Sequence, residues 1–426
     1  MAVSVRGAAG ETLVEAMAAA YLGNPTLASA RAALRATDEQ VPEALSGWRP
    51  TVTLTGELGK ADVETETSFF GADEIRTPTT VRLGITQPLY RGGRTVAATS
   101  QAENQVRADR ARLIEVEQSV LLLVVTAYMD VMRDQAVLKL AINNEQRLRR
   151  QLQAARDRFE VGEVTRTDVA QADARVSNAV AERVRSEADL IASRASYLNV
   201  VGSLPGELSL PPTLASLPGT ELQAREIAVQ ESPTIQRTIH LERAARDDIA
   251  VRFGALLPTL NLTAEFSRAE DASSRNSLTE RSEILARLTV PLYQSGSEHA
   301  RVRAAREVAS QRRIEIEVSR RAVLENVTLW WENLKTARAQ IKAFRDGVRA
   351  AEIALDGVEQ EAAVGSRTTL DVLDAEQELF DIQVDLVGAE HDDVVASYAL
   401  EAAIGRLTAA NLGLSAQIYD PTRHYD

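Results

Sequence analysis

Two aspartates, Asp371 and Asp374, are the residues whose type and spacing could do chemistry in this sequence. They stand three apart near the predicted start of a helix, so their carboxylates share one helix face. Carboxylates arranged in this way can line a passage and select or gate cations. The ordinary alternative is a solvated helix face, or an acid favoured by the dipole at a helix N-terminus. The spacing by itself favours that alternative.

The sequence offers no arrangement suited to catalysis or to binding a metal or cofactor. It has no cysteine, and its four histidines are scattered without the spacing of metal ligands. No phosphate-binding loop is found. A net charge of -13 without a basic stripe disfavours nucleic-acid binding. We therefore expect no enzyme, no cofactor and no nucleic-acid partner.

The apolar residues do not form a membrane-spanning helix. No apolar run approaches the ~18 residues that such a helix needs. Residues 1–10 lack the apolar core of an export signal, and we interpret them as a leader remnant or as residues added ahead of the mature chain.

The chain repeats itself. The segment 24–27 recurs at 232–235, and the glycine, threonine and aspartate of 162–168 recur at 365–371. Such self-similarity indicates a duplicated structural unit. The matches predict residues 1–10 ahead of the fold, a first repeat at 11–202, a Pro-rich bridge at 203–220, a second repeat at 221–405 and a C-terminal segment at 406–426.

Each repeat has the same predicted order of elements: a helix, two strands, a very long helix and a closing helix. Aromatic residues make up only 4% of the chain, a bias typical of long helices. In the first long helix, apolar residues recur at coiled-coil spacings: Val116, Val120, Leu123, Ala127, Val131 and Leu138. A helix of about 65 residues is ~100 Å long. The predicted helices are 11–45, about 95–159 and 167–200, then 221–253, about 298–362 and 369–404.

The predicted strands alternate between apolar and polar residues. They cover about 50–62 and 78–90 in the first repeat, and about 256–268 and 282–292 in the second, with polar loops at about 63–77 and 269–281. Their length suits tilted strands of a membrane barrel, and Trp48, Tyr90 and Tyr293 stand at strand ends, where interfacial aromatics belong. The strand pattern alone is equally compatible with soluble hairpins.

Four strands per chain cannot close a barrel. Open strand edges are unsatisfied in lipid, because no water is present to bond the backbone there. Two, three or four chains would supply 8, 12 or 16 strands, and cyclic symmetry is the simplest way to close them. The periodicity does not choose among these numbers.

The segment 364–375, which reads VGSRTTLDVLDA, resembles the inner end of the tunnel in the TolC family of outer-membrane efflux proteins. The first-repeat copy at 159–169 is similar to the family's other hairpin turn. The resemblance covers about residues 11–405. Two copies of the pattern at matching places in a duplicated chain make it specific.

The resemblance implies a mainly α-helical homotrimer with a small β part. A 12-stranded barrel would span the outer membrane of a Gram-negative bacterium, and a coiled-coil α-helical barrel would continue it into the periplasm. The bridge and the C-terminal segment would form an equatorial belt. The channel would be a passive conduit in a tripartite efflux or type I secretion system, docked to a periplasmic adaptor (membrane fusion protein) and an inner-membrane transporter.

The resemblance also assigns a gate and a latch. Asp371 and Asp374 would form acidic rings at the closed periplasmic mouth, where crowding should raise some carboxylate pKa values. Arg367, Thr167 and Asp168 match positions that hold neighbouring helix pairs together in the closed state. At Ala362 this chain departs from the family, which has a latch tyrosine there.

The hairpin tips are assigned to adaptor contact. Gly162 and Gly365, with Val161 and Val364 beside them, mark the turns between the helices of each hairpin. A glycine allows close approach of a partner helix, although a tight turn by itself also explains glycine there.

A soluble periplasmic coiled-coil adaptor or scaffold is the alternative function. Such adaptors also use long helical hairpins, but they carry one hairpin flanked by compact β domains. This sequence has two hairpins, each preceded by a strand pair.

Overall fold

The computed structural model describes residues 11–67, 70–211, 214 and 217–423, and the predicted leader at 1–10 lies outside them. The chain is mainly helical with a small β part. The helices are α1 (Leu13–Gly23), α2 (Pro25–Asp38), α3 (Gln40–Leu45), α4 (Arg94–Glu160), α5 (Arg166–Val201), α6 (Glu221–Glu231), α7 (Pro233–Phe253), α8 (Ser297–Ala363) and α9 (Thr369–Ala403). The strands are β1 (Thr51–Leu58), β2 (Ala61–Thr67), β3 (Phe70–Arg76), β4 (Thr79–Arg91), β5 (Thr259–Glu270) and β6 (Leu278–Thr289).

Two compact units divide these elements. The helical unit comprises the described parts of Met1–Ala32, Ala111–Gln236 and Val318–Asp426. The sheet unit comprises the described parts of Ala33–Arg110 and Arg237–Glu317. In the described part of the chain, no helix is both long and apolar enough to cross a membrane.

The sheet unit contains a four-stranded antiparallel sheet in the order β1-β4-β5-β6. Pairing of β4 with β5 joins the strands of the first repeat to those of the second. Among the described residues, β1 pairs only with β4 and β6 pairs only with β5. The sheet therefore has two outer edges whose backbone groups are available to further strands.

The two faces of this sheet differ in polarity. Antiparallel partners point to the same side, so Leu54, Leu83 and Phe266 form one apolar row across β1, β4 and β5. The exposed apolar residues of this face include Val52, Leu54, Leu58, Val81, Leu83, Ile85, Leu262, Phe266, Leu278, Ile284 and Leu288. The opposite face is largely polar, and an ion pair of 3.1 Å joins Arg82 to Glu265 there. The alternation in sequence thus becomes one apolar and one polar surface.

The prediction of a polar loop at 63–77 is wrong, because the segment forms two strands. β2 and β3 pair as an antiparallel hairpin from Ala61↔Arg76 to Thr67↔Phe70, separate from the larger sheet. At 63–67, β-branched residues alternate with glutamate, a pattern that suits a strand. Backbone pairing between two adjacent strands does not require an apolar face, and for that reason polarity was a poor guide here.

The single helices predicted at 11–45 and 221–253 are also wrong, because both are interrupted. Asn24 and Ser232 have extended backbones, with ψ of 124° and 121°, and a proline follows each of them. A residue that precedes proline is pushed out of the helical region, and helices therefore usually end there. The Asn-Pro and Ser-Pro pairs that revealed the repeat are the breaks between α1 and α2 and between α6 and α7.

The core of the helical unit is a series of small apolar clusters along the long helices. Leu148 and Leu152 of α4 pack with Ala172 of α5 and Leu373 of α9. Further along, Val327 and Leu334 of α8 pack with α6 and α9. The first of these clusters brings the helical hairpins of the two repeats together, because α4–α5 belongs to the first and α8–α9 to the second.

Glu11, the bridge and the C-terminal segment also make contacts within the helical unit. Glu11 donates its backbone N–H to Glu207 of the bridge at 2.7 Å. The guanidinium of Arg31 lies 4.6 Å from the ring centre of Tyr21 and 5.1 Å from that of Tyr419 in the C-terminal segment. Such cation–π contacts tie the C-terminal segment to α1 and α2.

Candidate functional site

The two helical hairpins end in turns of the same geometry. Gly162 and Gly365 adopt left-handed backbones with φ of 83° and 80°. After each glycine, a backbone N–H reaches back to the last helical turn: Glu163 donates to Arg158 at 2.8 Å, and Ser366 to Glu361 at 2.9 Å. This pattern satisfies the free carbonyls of the helix end and requires a residue with positive φ. The matching glycines in the sequence therefore have a local cause.

The space beside these glycines is open. A Cβ added to Gly162 or Gly365 would meet no atom within 4 Å. The left-handed backbone, and not packing within the chain, accounts for glycine at both places. Val161 and Val364 stand next to them and are 71% and 80% exposed. Exposed apolar side chains at both tips suit contact with a partner protein.

A capping box follows each turn. Thr165 and Asp168 bond reciprocally at the start of α5, where Asp168 accepts from the Thr165 backbone N–H at 2.8 Å. Thr368 and Asp371 do the same at the start of α9, at 2.9 Å. These bonds satisfy N–H groups that a helix start otherwise leaves free. Asp168 and Asp371 thus have the same structural role in the two repeats.

The capping bonds also set the charge of Asp371. Hydrogen bonds from the side chain and then the backbone of Thr368, with the nearby Arg367, hold the pKa of Asp371 below its usual 3.8. This carboxyl is therefore ionised at neutral pH. The expected rise of carboxylate pKa values requires the acids of several chains around one axis, and it stays a prediction.

Asp374, the other candidate gate acid, has a partner on the opposite hairpin. Its carboxylate accepts a hydrogen bond from Arg175 of α5. The side chains of Arg175 and Asp374 are 34% and 57% exposed, so the pair remains open to solvent. The structure thus places Asp371 in a local cap and Asp374 in a contact between the repeats.

The three latch candidates lie close to the tips, but they do not bond one another within the described chain. Arg367 donates to Glu361 at 2.9 Å, while the carboxylate of Asp168 is engaged by Thr165. Thr167 is exposed in the first turn of α5. A bond between Arg367 and Asp168 therefore stays a prediction. Ala362 is half-buried against α9.

The three candidate interface aromatics lie at one end of the four-stranded sheet. Trp48 ends a short 3-10 helix just ahead of β1, Tyr90 is near the end of β4, and Tyr293 follows β6. They are 40%, 43% and 87% exposed. The three aromatic side chains are exposed at the same end of the sheet, where interfacial aromatics are expected in a membrane barrel.

Sequence reasoning missed Arg175 and Glu376. Arg175 stands seven residues after Asp168, so the two share a helix face, a spacing that could have revealed it. Glu376 lies between Val372 and Leu379 in the apolar stripe of α9 and is 1% exposed. Burial raises the pKa of Glu376. No three His, Asp or Glu side chains within the described ranges are placed to hold a metal ion.

Comparison with known proteins identifies the chain. The family model described as "Outer membrane efflux protein" matches residues 17–203 and 224–406. The chain belongs to the outer membrane efflux protein family. This efflux protein is 40% identical over 425 residues to the outer membrane efflux protein BepC of Brucella suis biovar 1 (strain 1330). The match covers 99% of this chain and 91% of the relative.

A second relative and a solved structure are similar to the chain over most of its length. The chain is 26% identical over 410 residues to the outer membrane protein TolC of Vibrio cholerae serotype O1, covering 93% of this chain and 91% of the relative. The crystal structure of the Campylobacter jejuni CmeC outer membrane channel superposes with a TM-score of 0.84 at 14% identity, over 100% of this chain and 93% of the other. That similarity establishes the fold.

These findings confirm the resemblance to the TolC family. The efflux protein resides in the outer membrane and acts as a channel for efflux or secretion. Its relatives are channels and not enzymes. The alternative of a soluble adaptor has no support from the comparisons.

Proposed function

We propose that three copies of this efflux protein close one 12-stranded barrel in the outer membrane and form a passive export conduit. The observation that carries the proposal is the four-stranded sheet, with its exposed apolar face and two outer edges. Leu54 on β1 is 71% exposed and Ile284 on β6 is 73% exposed, although both are apolar. In a closed barrel the apolar face contacts lipid and the polar face lines a water-filled pore.

The outer edges supply the reason for assembly. Unpaired backbone groups cost several kcal/mol each in hydrocarbon, because lipid offers no hydrogen-bond partner (about 4–8 kcal/mol by transfer to cyclohexane). Pairing β1 of one copy with β6 of the next removes this cost at every junction. The strand count allows two, three or four copies. Three is our choice because the TolC family, which this chain resembles, is trimeric.

The helical parts complete the conduit in this proposal. The long helices α4 and α8 continue the barrel into the periplasm, with the bridge at 203–220 and the C-terminal segment at 406–426 as an equatorial belt. A periplasmic adaptor docks at the hairpin tips, and an inner-membrane transporter supplies the energy. The assembled system is a tripartite efflux or type I secretion machine.

The periplasmic mouth is the gate in this proposal. Three copies of Asp371 and Asp374 place six carboxylates around one axis, an arrangement that favours cations. Arg367, Thr167 and Asp168 hold neighbouring helix pairs in the closed state. Contact of the adaptor with Val161, Gly162, Val364 and Gly365 shifts the helices towards the open state, a packing switch between two arrangements.

Covalent capture of the ring tests the number of copies. The chain has no cysteine of its own, so Thr55→Cys on β1 and Arg281→Cys on β6 can be joined between neighbours with a bifunctional maleimide. We expect species up to a covalent trimer and none larger, after extraction with detergent. Each single-cysteine variant is the control and should not give this ladder.

The alternatives give different products. A ladder that stops at two copies or reaches four would contradict the trimer but would still support a closed ring of chains. A water-soluble monomer that cannot be captured would contradict the ring itself.

A further inference from the structure

A groove in the helical unit has a composition that neither the gate nor the barrel explains. It lies among α4, α5 and α9, with a volume of about 550 Å³. Asn144 and Phe380 line it and are only 3% and 6% exposed, so they form its floor. Glu182, Asp381 and Asp385 line it with carboxylates.

The groove is acidic. Arg175 is the basic side chain that lines it, and this arginine is already engaged by Asp374 outside the groove. Glu182 pairs with Arg185 at 3.5 Å. Asp381 and Asp385 have no ion-pair partner among the described residues, so the groove retains a negative charge. Their mutual repulsion favours a positively charged ligand.

The floor contains an unpaired hydrogen-bond acceptor. Asn144 Oδ1 has no partner among the described residues, although it is buried. A buried polar atom in this state is costly, and a ligand that donates a hydrogen bond removes that cost. The ligand should therefore carry N–H donors as well as positive charge.

A single metal ion does not fit this arrangement. In the described chain, no three acidic or histidine side chains are close enough to share one ion. Asp381 and Asp385 are four residues apart on α9, and such positions have Cβ atoms about 5–6 Å apart. The groove thus offers separate carboxylates beside the apolar ring of Phe380, which suits charges separated by short alkyl segments.

We propose that this groove binds a linear aliphatic polyamine. Its ammonium groups pair with Asp381, Asp385 and Glu182, one of them donates to Asn144 Oδ1, and the methylenes between them lie on Phe380. One chain builds the whole groove, so the site does not depend on the trimer or on the gate. It gives the channel an organic-cation site inside the helical unit, distinct from the acids at the mouth.

Calorimetric titration of the full-length protein in detergent with spermine tests the site. We expect about one spermine per chain. Asp381→Asn combined with Asp385→Asn should weaken binding by about tenfold or more, since each lost charge-assisted bond is worth roughly one decade in affinity. Asn144→Leu retains every charge and should weaken binding by about fivefold or more.

Two control variants separate the groove from general acidity. Glu352→Gln combined with Asp356→Asn removes two exposed carboxylates with the same spacing on α8, and it should bind spermine like the parent protein. Asp371→Asn removes a mouth acid that does not line the groove, so it can weaken spermine binding at the mouth ring but should leave the groove site at about one spermine per chain.

Several results would overturn the proposal. They are an absence of spermine binding, equal losses in the groove and α8 variants, loss only in Asp371→Asn, or Mg²⁺ binding as tight as spermine. Because Asp381 and Asp385 are exposed, their variants retain the packing of α9 and keep the test valid if Asn144→Leu fails to fold.

Discussion

Arg175 of α5 and Asp374 of α9 form an ion pair that joins the closing helices of the two repeats. Both side chains are exposed to solvent, so we expect the pair to contribute only about 0–1 kcal/mol to stability. Its importance lies in its position, because one of the two candidate gate acids is held by a cation from the other hairpin.

Arg175→Met should open the channel more readily and increase its preference for cations, because Asp374 loses both its tether and its neutralising charge. Planar-bilayer recordings of conductance and reversal potential measure the two effects. Arg156→Met is the matched control, since it removes an exposed ion pair with Asp173 inside one hairpin. Equal behaviour of the two variants would contradict a role of Arg175 at the mouth.

Asp371→Asn combined with Asp374→Asn should reduce block of the pore by a trivalent cation by about tenfold or more, because six carboxylates around the axis become neutral. The block is measured as the concentration that halves the current. The variant Glu352→Gln with Asp356→Asn should be blocked like the parent protein. An unchanged block in the mouth variant would contradict the assignment of the gate to Asp371 and Asp374.

We expect the helical unit to lose stability as the pH rises, because His391 of α9 then loses its proton. Its Nε2 lies 3.1 Å from Asp130 and its Nδ1 lies 2.9 Å from Asp392, and only the doubly protonated imidazolium donates to both carboxylates. Burial by itself opposes that charge, but the bonds to Asp130 and then Asp392 outweigh it and raise the pKa of His391 above its usual 6.5.

The sign of this effect follows from proton binding. The folded chain binds the proton more tightly than the unfolded chain, so the stabilisation is complete below pH 6.5 and disappears as the pH rises through the folded pKa. Denaturant unfolding across this pH range measures the loss of stability. His391→Gln should abolish the dependence, and a parallel pH profile in that variant would contradict the assignment.

Thr165→Ala and Thr368→Ala should each cost about 1 kcal/mol, since each removes the cap of one hairpin helix. The two costs should be alike because the two capping boxes have nearly the same geometry. Hydrogen exchange at the first turns of α5 and α9 measures the local loss. Thr369→Ala is the control, because Thr369 follows the cap and takes no part in it. Fast exchange in the control would mean that the cap is not the cause.

Much of the fold could be predicted from local patterns. The long helices α4 and α8 follow from coiled-coil spacing, and the strands β1, β4, β5 and β6 from alternation. The helix breaks at Pro25 and Pro233 could also have been predicted, because the residue before a proline avoids the helical region. The hairpin of β2 and β3 was missed because its residues are polar and give no signal of burial.

The sequence by itself determined the duplication, which is visible as recurring segments, and it determined the apolar and polar faces of the strands, the glycine turns and the threonine caps, since each of these depends on residues a few positions apart. Only the tertiary structure decided that β4 lies beside β5, that Arg175 holds Asp374, and that Asn144 lies unpaired in an acidic groove. These depend on how helices and strands distant in sequence are aligned, and local periodicity fixes the face of a helix without fixing its partner.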